Sequence, residues 1–180
     1  MIAYLIAGTA IAATVYAVAR KRRQNENANE NQSSMTPTNT TSTGTPPNPS
    51  GATRGLRNNN PLNIEWNSTN WQGEIKPSSD SRFAQFVSMP YGYRAAFKTI
   101  RTYITKHGVK TVQDIIHRWD SGAKTYVSNV CKWTGFSPDK VINPDNSADM
   151  INLVSAMSRM ENGIAANIQD VTDGYKLYKS

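Results

Sequence analysis

The sequence is poor in the residues that build cross-linked or reactive sites. Its 180 residues include one cysteine, Cys131, and two histidines, His107 and His117. A single cysteine excludes an intramolecular disulfide framework and a cysteine-based zinc site, so the folded part must stand on its hydrophobic core. Cys131 lies between Val130 and Lys132 in a helical stretch and reads as a small buried hydrophobe rather than a nucleophile. The two histidines are ten positions apart, on different expected helices, and nothing points to a third ligand. A Gly-rich phosphate loop, a zincin histidine pair, a CxxC pair and a G-x-S-x-G elbow are all missing. The expectation is therefore no metal and no cofactor.

Charge is missing as well, and in two blocks. Residues 2–19 hold none, and residues 24–53 hold only Glu26 and Glu30. The formal net charge of +7, from 20 basic and 13 acidic residues, is thus unevenly spread. Four of the basic residues form the cluster Arg20 to Arg23, which leaves residues 54–180 with 16 basic and 11 acidic side chains. A body of that length buries roughly two-thirds of its unfolded surface. It is too short for a TIM barrel or a two-domain dehydrogenase.

The uncharged run Ile2 to Ala19 spans about 27 Å as a helix, close to the hydrocarbon thickness of a bilayer. The basic cluster follows at once, where a cleaved signal peptide would need a small-residue cleavage site. Residues 1–23 are therefore expected to be a single-pass membrane anchor with a basic flank, the body on the cytoplasmic side, and anionic lipid head groups as partners of the flank. Residues 24–53, rich in Asn, Ser, Thr and Pro, have Met35 as their one large apolar residue; they predict a disordered linker with a reach of roughly 30 Å.

Residues 54–180 predict a mainly α body with a small irregular or β-containing lobe. Turn formers dominate 54–90, leaving room for one or two short strands. Beyond it, Tyr93, Phe97, Ile100 and Ile104 recur at helical spacing within 91–107, beside the basic stripe Arg94, Lys98 and Arg101, and Gly108 is placed to end that helix. Thr111 is placed to cap a second helix, with Asp114 three residues on. A third helix is expected over about 124–133, and a short helical turn opened by Ser137-Pro138. A long helix over about 147–161 carries Met150, Leu153, Val154, Met157 and Met160, and a weaker tail carries Tyr175, Leu177 and Tyr178.

The most unusual stretch is Arg54-Gly55-Leu56-Arg57-Asn58-Asn59-Asn60-Pro61-Leu62-Asn63-Ile64. Its amides and the Arg57 guanidinium suit a polyhydroxylated or N-acetylated sugar, with Trp66, Trp71, Tyr91 and Tyr93 as candidate stacking faces. The same pattern also reads as an Asx-turn loop holding itself together.

RGLRNNNPLNI, then NWQG, then RFAQFVSMPYGYRAAFKTIRTYITKHGVKTVQDIIHRW, Tyr126 to Gly135 and AMSRMENG together resemble a protein family found in phages and prophages. Its members are described as virion structural proteins or as peptidoglycan-degrading, lytic transglycosylase-like proteins. The resemblance covers about residues 54–163. It departs after Trp119, where Asp120-Ser121-Gly122 stands in place of the family's Pro-rich stretch. The second description makes a lysozyme-like α+β arrangement one form the fold could take.

Cleaving a glycan strand needs a carboxyl group that protonates the glycosidic oxygen. The body holds three glutamates, Glu65, Glu74 and Glu161. Glu161 ranks first: Met157, Met160 and Ile164 offer it apolar surroundings, and the resemblance places a Glu-Asn-Gly at this helix end. Glu74, beside Trp71 and Gly73, ranks second. The candidate substrate-binding residues are Arg57, Asn58, Asn59, Asn60, Asn63, Trp71, Tyr91 and Tyr93. A structural bond from Glu161 to Arg54 or Arg57 is the competing use of that carboxylate. The resemblance thus implies a virion protein acting on peptidoglycan, or a non-enzymatic one linking an internal membrane to capsid proteins or genome. The basic residues accompany no nucleic-acid motif, so sequence-specific nucleic-acid binding is not expected.

Overall fold

A computed structural model describes residues 51–121 and 124–180. The expected anchor and all but the last three residues of the expected linker lie outside the described residues. Among those described, no helix is long and apolar enough to cross a membrane.

The chain order is α1 (Arg54–Arg57), an irregular segment to residue 88, then α2 (Met89–His107), α3 (Val112–Trp119), α4 (Lys124–Thr134), α5 (Ser147–Asn162) and α6 (Ile168–Lys179). The protein is mainly helical, as its periodicity predicts. Helix α2 has Pro90 in its first turn and stops at Gly108, which takes the left-handed conformation (φ 67°) and returns its N–H to Tyr103. Thr111 caps α3 by accepting from the Asp114 N–H at 3.2 Å.

Three expectations need correction. The strands in 54–90 are only isolated antiparallel bridges, Glu65 with Phe83 and Glu74 with Phe86. Turn-forming residues on both sides stop each ladder before a second rung can add to it. Ser137-Pro138 opens a tight turn, closed by the Lys140 N–H on the Ser137 carbonyl at 3.1 Å, and not a helical one. The weak tail is a full helix, α6, in which Val171, Tyr175 and Tyr178 repeat at spacings of 4 and 3 and are buried.

Helix α6 lies along α2. A Cβ on Gly174 would come within 2.5 Å of the Tyr93 Cβ and 2.8 Å of the Pro90 carbonyl oxygen, so the absent side chain sets the approach of the two helices. Phe97 and Tyr175 meet edge-on across it, 5.2 Å between ring centres. The core joins Phe97 and Ile100 of α2, Ile115 and Ile116 of α3, Leu153 and Val154 of α5, and Leu62 and Phe86 of the irregular segment. Cys131 is half-buried against this core, where burial pushes its thiol pKa up and keeps it a thiol.

Candidate functional site

Helix α5 brings Glu161 inward by simple periodicity. Met150, Val154, Met157 and Glu161 follow one another at spacings of 4, 3 and 4, so the carboxylate shares the face that three core residues occupy. Gly163 then ends the helix in the left-handed conformation (φ 72°).

The surroundings of Glu161 are donors more than apolar surface. Oε1 accepts from Trp119 Nε1 at 3.1 Å and lies 3.1 Å from the Tyr126 hydroxyl, which also reaches the Met157 carbonyl at 3.3 Å. Oε2 accepts from Asn63 Nδ2 at 3.2 Å. Ile164, expected to cover it, is 57% exposed. The next residue ties the same helix end to the irregular segment: Asn162 accepts from the Thr53 hydroxyl at 2.6 Å and donates to the Pro61 carbonyl at 2.8 Å. Trp119 and Tyr126 sit on α3 and α4, so one carboxylate gathers three helices and the Asn-rich loop.

The Asn-rich loop spends most of its amides on the fold. Asn60, fully buried, donates to the Ile64 and Ala84 carbonyls at 2.8 Å each and accepts from the Ile64 N–H at 2.8 Å. Asn59, at φ 49°, donates to the Phe86 carbonyl at 2.9 Å. Asn58 donates to Asp80 at 2.7 Å. The Arg57 guanidinium donates to the Ala52 carbonyl at 2.8 Å on the protein surface. Of the two readings of this loop, the self-supporting one describes Asn58, Asn59 and Asn60. Asn63, also left-handed (φ 50°), is the one that reaches a candidate acid.

Asp80, missed from the sequence, anchors this loop. Its carboxylate takes paired bonds from Arg54 at 2.7 and 2.9 Å, besides the backbone N–H groups of Arg82 and Phe83. Burial works to raise its pKa, but the bonds from Arg54, the two backbone N–H groups and Asn58 outweigh that and hold it well below the ordinary carboxylate range. A short acidic residue among serines gives no sequence signal of such a role.

The aromatic candidates separate. Tyr93 is 2% exposed with its hydroxyl 2.9 Å from Ser158 Oγ, and burial pushes its pKa up to about 12; enclosed this way it offers no stacking face. Tyr91 is half-buried, its ring lying over Gly73 where any Cβ would collide with it. Trp66 is exposed, and Trp71, half-buried against the core, shares its cleft. With Ile64, Glu65, Tyr103 and Trp119 they line a cleft of about 530 Å³ between the irregular segment and the Lys98, Thr99 and Thr102 face of α2. Glu65 in this cleft is ion-paired with Arg82 Nε at 3.2 Å. Glu74 is not in it: its side chain is 2% exposed, and Oε2 is held by the Trp71 backbone N–H and Lys76 Nζ, both at 3.2 Å.

Trp119 belongs to both arrangements, one wall of the cleft and a donor to Glu161, while Glu161 itself is not among the residues that line the cleft. Sequence reasoning missed it, since its role depends on α3 and α5 meeting. Among the described residues, no group of three or more His, Cys, Asp or Glu side chains is placed to hold a metal ion.

No protein-family model matches the chain. It is 37% identical over 119 residues to Protein P5 of Pseudoalteromonas phage PM2, a match covering 62% of this chain and 72% of that protein.

Proposed function

The chain belongs to the family of that phage protein, and on this premise we propose that it is a virion-associated protein whose helical body binds and cleaves the glycan strand of the host cell wall during infection. The observation that carries the reading is the link through Trp119 between an aromatic cleft and the Glu161 carboxylate. Sugar rings bind by laying their apolar faces on indoles, and the exposed Trp66 and the half-buried Trp71 line the cleft for this. For a strand that reaches past Trp119 to Glu161, the carboxyl group in its protonated form gives its proton to the glycosidic oxygen as the C1–O bond breaks. The sugar's own 6-hydroxyl then attacks C1, and its proton returns to the carboxylate, closing an anhydro ring without water. Trp119, Tyr126 and Asn63 fix the carboxyl group for both transfers. In this reading residues 1–23 anchor the protein in the virion membrane and residues 24–53 tether the body to it. A body on the cytoplasmic side of the host membrane faces the capsid once that membrane is enclosed in a particle.

A second reading has its own support. Both Glu161 oxygens already accept bonds from the fold, which suits a purely structural carboxylate in a protein that links the internal membrane to capsid or genome. Incubating the full chain with purified peptidoglycan and weighing the released fragments separates the two. Anhydro-sugar ends are the expected product. No release from folded protein overturns the enzymatic reading and leaves the linking one.

A further inference from the structure

Away from Glu161 and its donors, three cations from two helices gather about one buried ring, that of Tyr178 on α6. Lys98 Nζ of α2 lies 5.2 Å from the ring centre and Lys179 Nζ of α6 lies 5.9 Å from it, while Arg101 Nη1 of α2 donates to the Tyr178 hydroxyl at 2.9 Å. The hydroxyl in turn donates to the Pro144 carbonyl at 3.1 Å, which pins the ring that the cations surround. Arg94, one turn before Lys98 on α2, donates from Nε to the Leu177 carbonyl at 3.1 Å. One carboxylate answers this charge: the exposed Asp145 accepts from Arg101 at 2.7 Å and stands 3.5 Å from Lys179. Among the described residues no carboxylate pairs with Lys98. Partial burial, then repulsion from Arg94, Arg101 and Lys179, disfavours the charged form of Lys98 and lowers its pKa. The fold thus sets four cations against one exposed acid, a repulsion that an added anion relieves.

We propose that Lys98 and Lys179, backed by Arg101, form a binding site for a phosphate group beside Tyr178. The geometry favours phosphate over a second carboxylate. A planar carboxylate presents two oxygens, and that of Asp145 already serves Arg101 and Lys179. A tetrahedral phosphate presents more oxygens in diverging directions, so it accepts from Lys98 on α2 and Lys179 on α6 together while Arg101 keeps Asp145. Ammonium groups suit this task, since they bind phosphate as point charges and need no planar fork. The three cations close on one ring and do not follow a line, which fits a single group. A free phosphate and the headgroup of an anionic phospholipid both present this chemistry. The site stands apart from the glycan reading and holds whether or not the cleft takes a sugar.

The test titrates the full chain, kept in an uncharged detergent at low salt, with three probes at matched ionic strength: inorganic phosphate, glycerophosphoglycerol and acetate. Glycerophosphoglycerol is the phosphodiester headgroup of phosphatidylglycerol without its acyl chains. At least one of the two phosphates is expected to bind about fivefold or more tightly than acetate, with an affinity that falls as salt is added; whichever binds more tightly identifies the source. Lys98→Gln and Lys179→Gln, each checked for unaltered circular dichroism, are each expected to weaken phosphate binding about threefold to fivefold. Lys132→Gln, at an exposed position on α4, is expected to leave it unchanged. No binding of either phosphate, acetate bound as tightly as both, wild-type affinity in Lys98→Gln and Lys179→Gln, or an equal loss in Lys132→Gln overturns the site.

Discussion

The irregular segment up to residue 88 and the helices after it are held together by different physics. In the helices, apolar side chains at helical spacing meet in a common core, and the backbone satisfies itself. In the irregular segment the backbone joins only isolated bridges, and side-chain amides and carboxylates supplement them: Asn60 bonds Ile64 and Ala84, Asn59 bonds Phe86, and Asp80 gathers Arg54, Asn58 and two backbone N–H groups. Removing a buried amide strands several partners at once, whereas removing an apolar side chain leaves a cavity whose cost depends on how well the neighbours close in. The difference is one of kind, and it can be tested by substitution.

The largest effect is expected for Asn60→Ala, which deletes three buried hydrogen bonds and orphans their partners, costing about 3 kcal/mol or more in denaturant unfolding. Leu153→Ala in α5 is the matched probe of the other region, at about 2–5 kcal/mol. If Asn60→Ala costs less than 1 kcal/mol while Leu153→Ala behaves as stated, the contrast between the regions is broken.

Acid sharpens it further. Asp80 titrates in the folded protein below its ordinary value of 3.8, so its contribution is complete above about pH 4 and is lost as pH falls toward the depressed folded value. Asp80→Asn should cost about 2 kcal/mol at neutral pH, and that loss should shrink steadily below pH 4. A pH-independent difference between the two proteins would mean that the carboxylate charge does not hold the loop. The smallest effect belongs to the helical side: Thr111→Ala removes the α3 cap and is expected to cost about 1 kcal/mol, read as a lower thermal midpoint.

The same contrast explains what the sequence disclosed. Helix α2 was legible because Tyr93, Phe97, Ile100 and Ile104 repeat with the helical period, and α3 because Thr111 and Asp114 stand at capping distance. Helix α6 leaves a weaker trace because its apolar face is built largely from tyrosines and interrupted by Gly174, a poor helix former that tight packing against Tyr93 requires. The irregular segment resisted reading because its bonds join residues far apart, such as Asn60 and Ala84, and leave no periodic trace. At the site, Glu161 was visible as an acid at a helix end before Asn-Gly. Its donors were not, since Trp119 and Tyr126 arrive from two other helices and look like ordinary core aromatics.

Glu161 is where the two regions meet, and under the proposed function its carboxyl group does chemistry there beyond fastening the helix end. Glu161→Gln and Asn162→Ala both disturb that fastening, but only the first removes the acid. Release of fragments from purified peptidoglycan, normalised to folded protein, measures the difference. Glu161→Gln is expected to lose at least about 100-fold, and Asn162→Ala to keep near-normal release at a temperature where both remain folded. Unchanged release by folded Glu161→Gln, or equal losses in the two variants, would contradict a chemical role for Glu161.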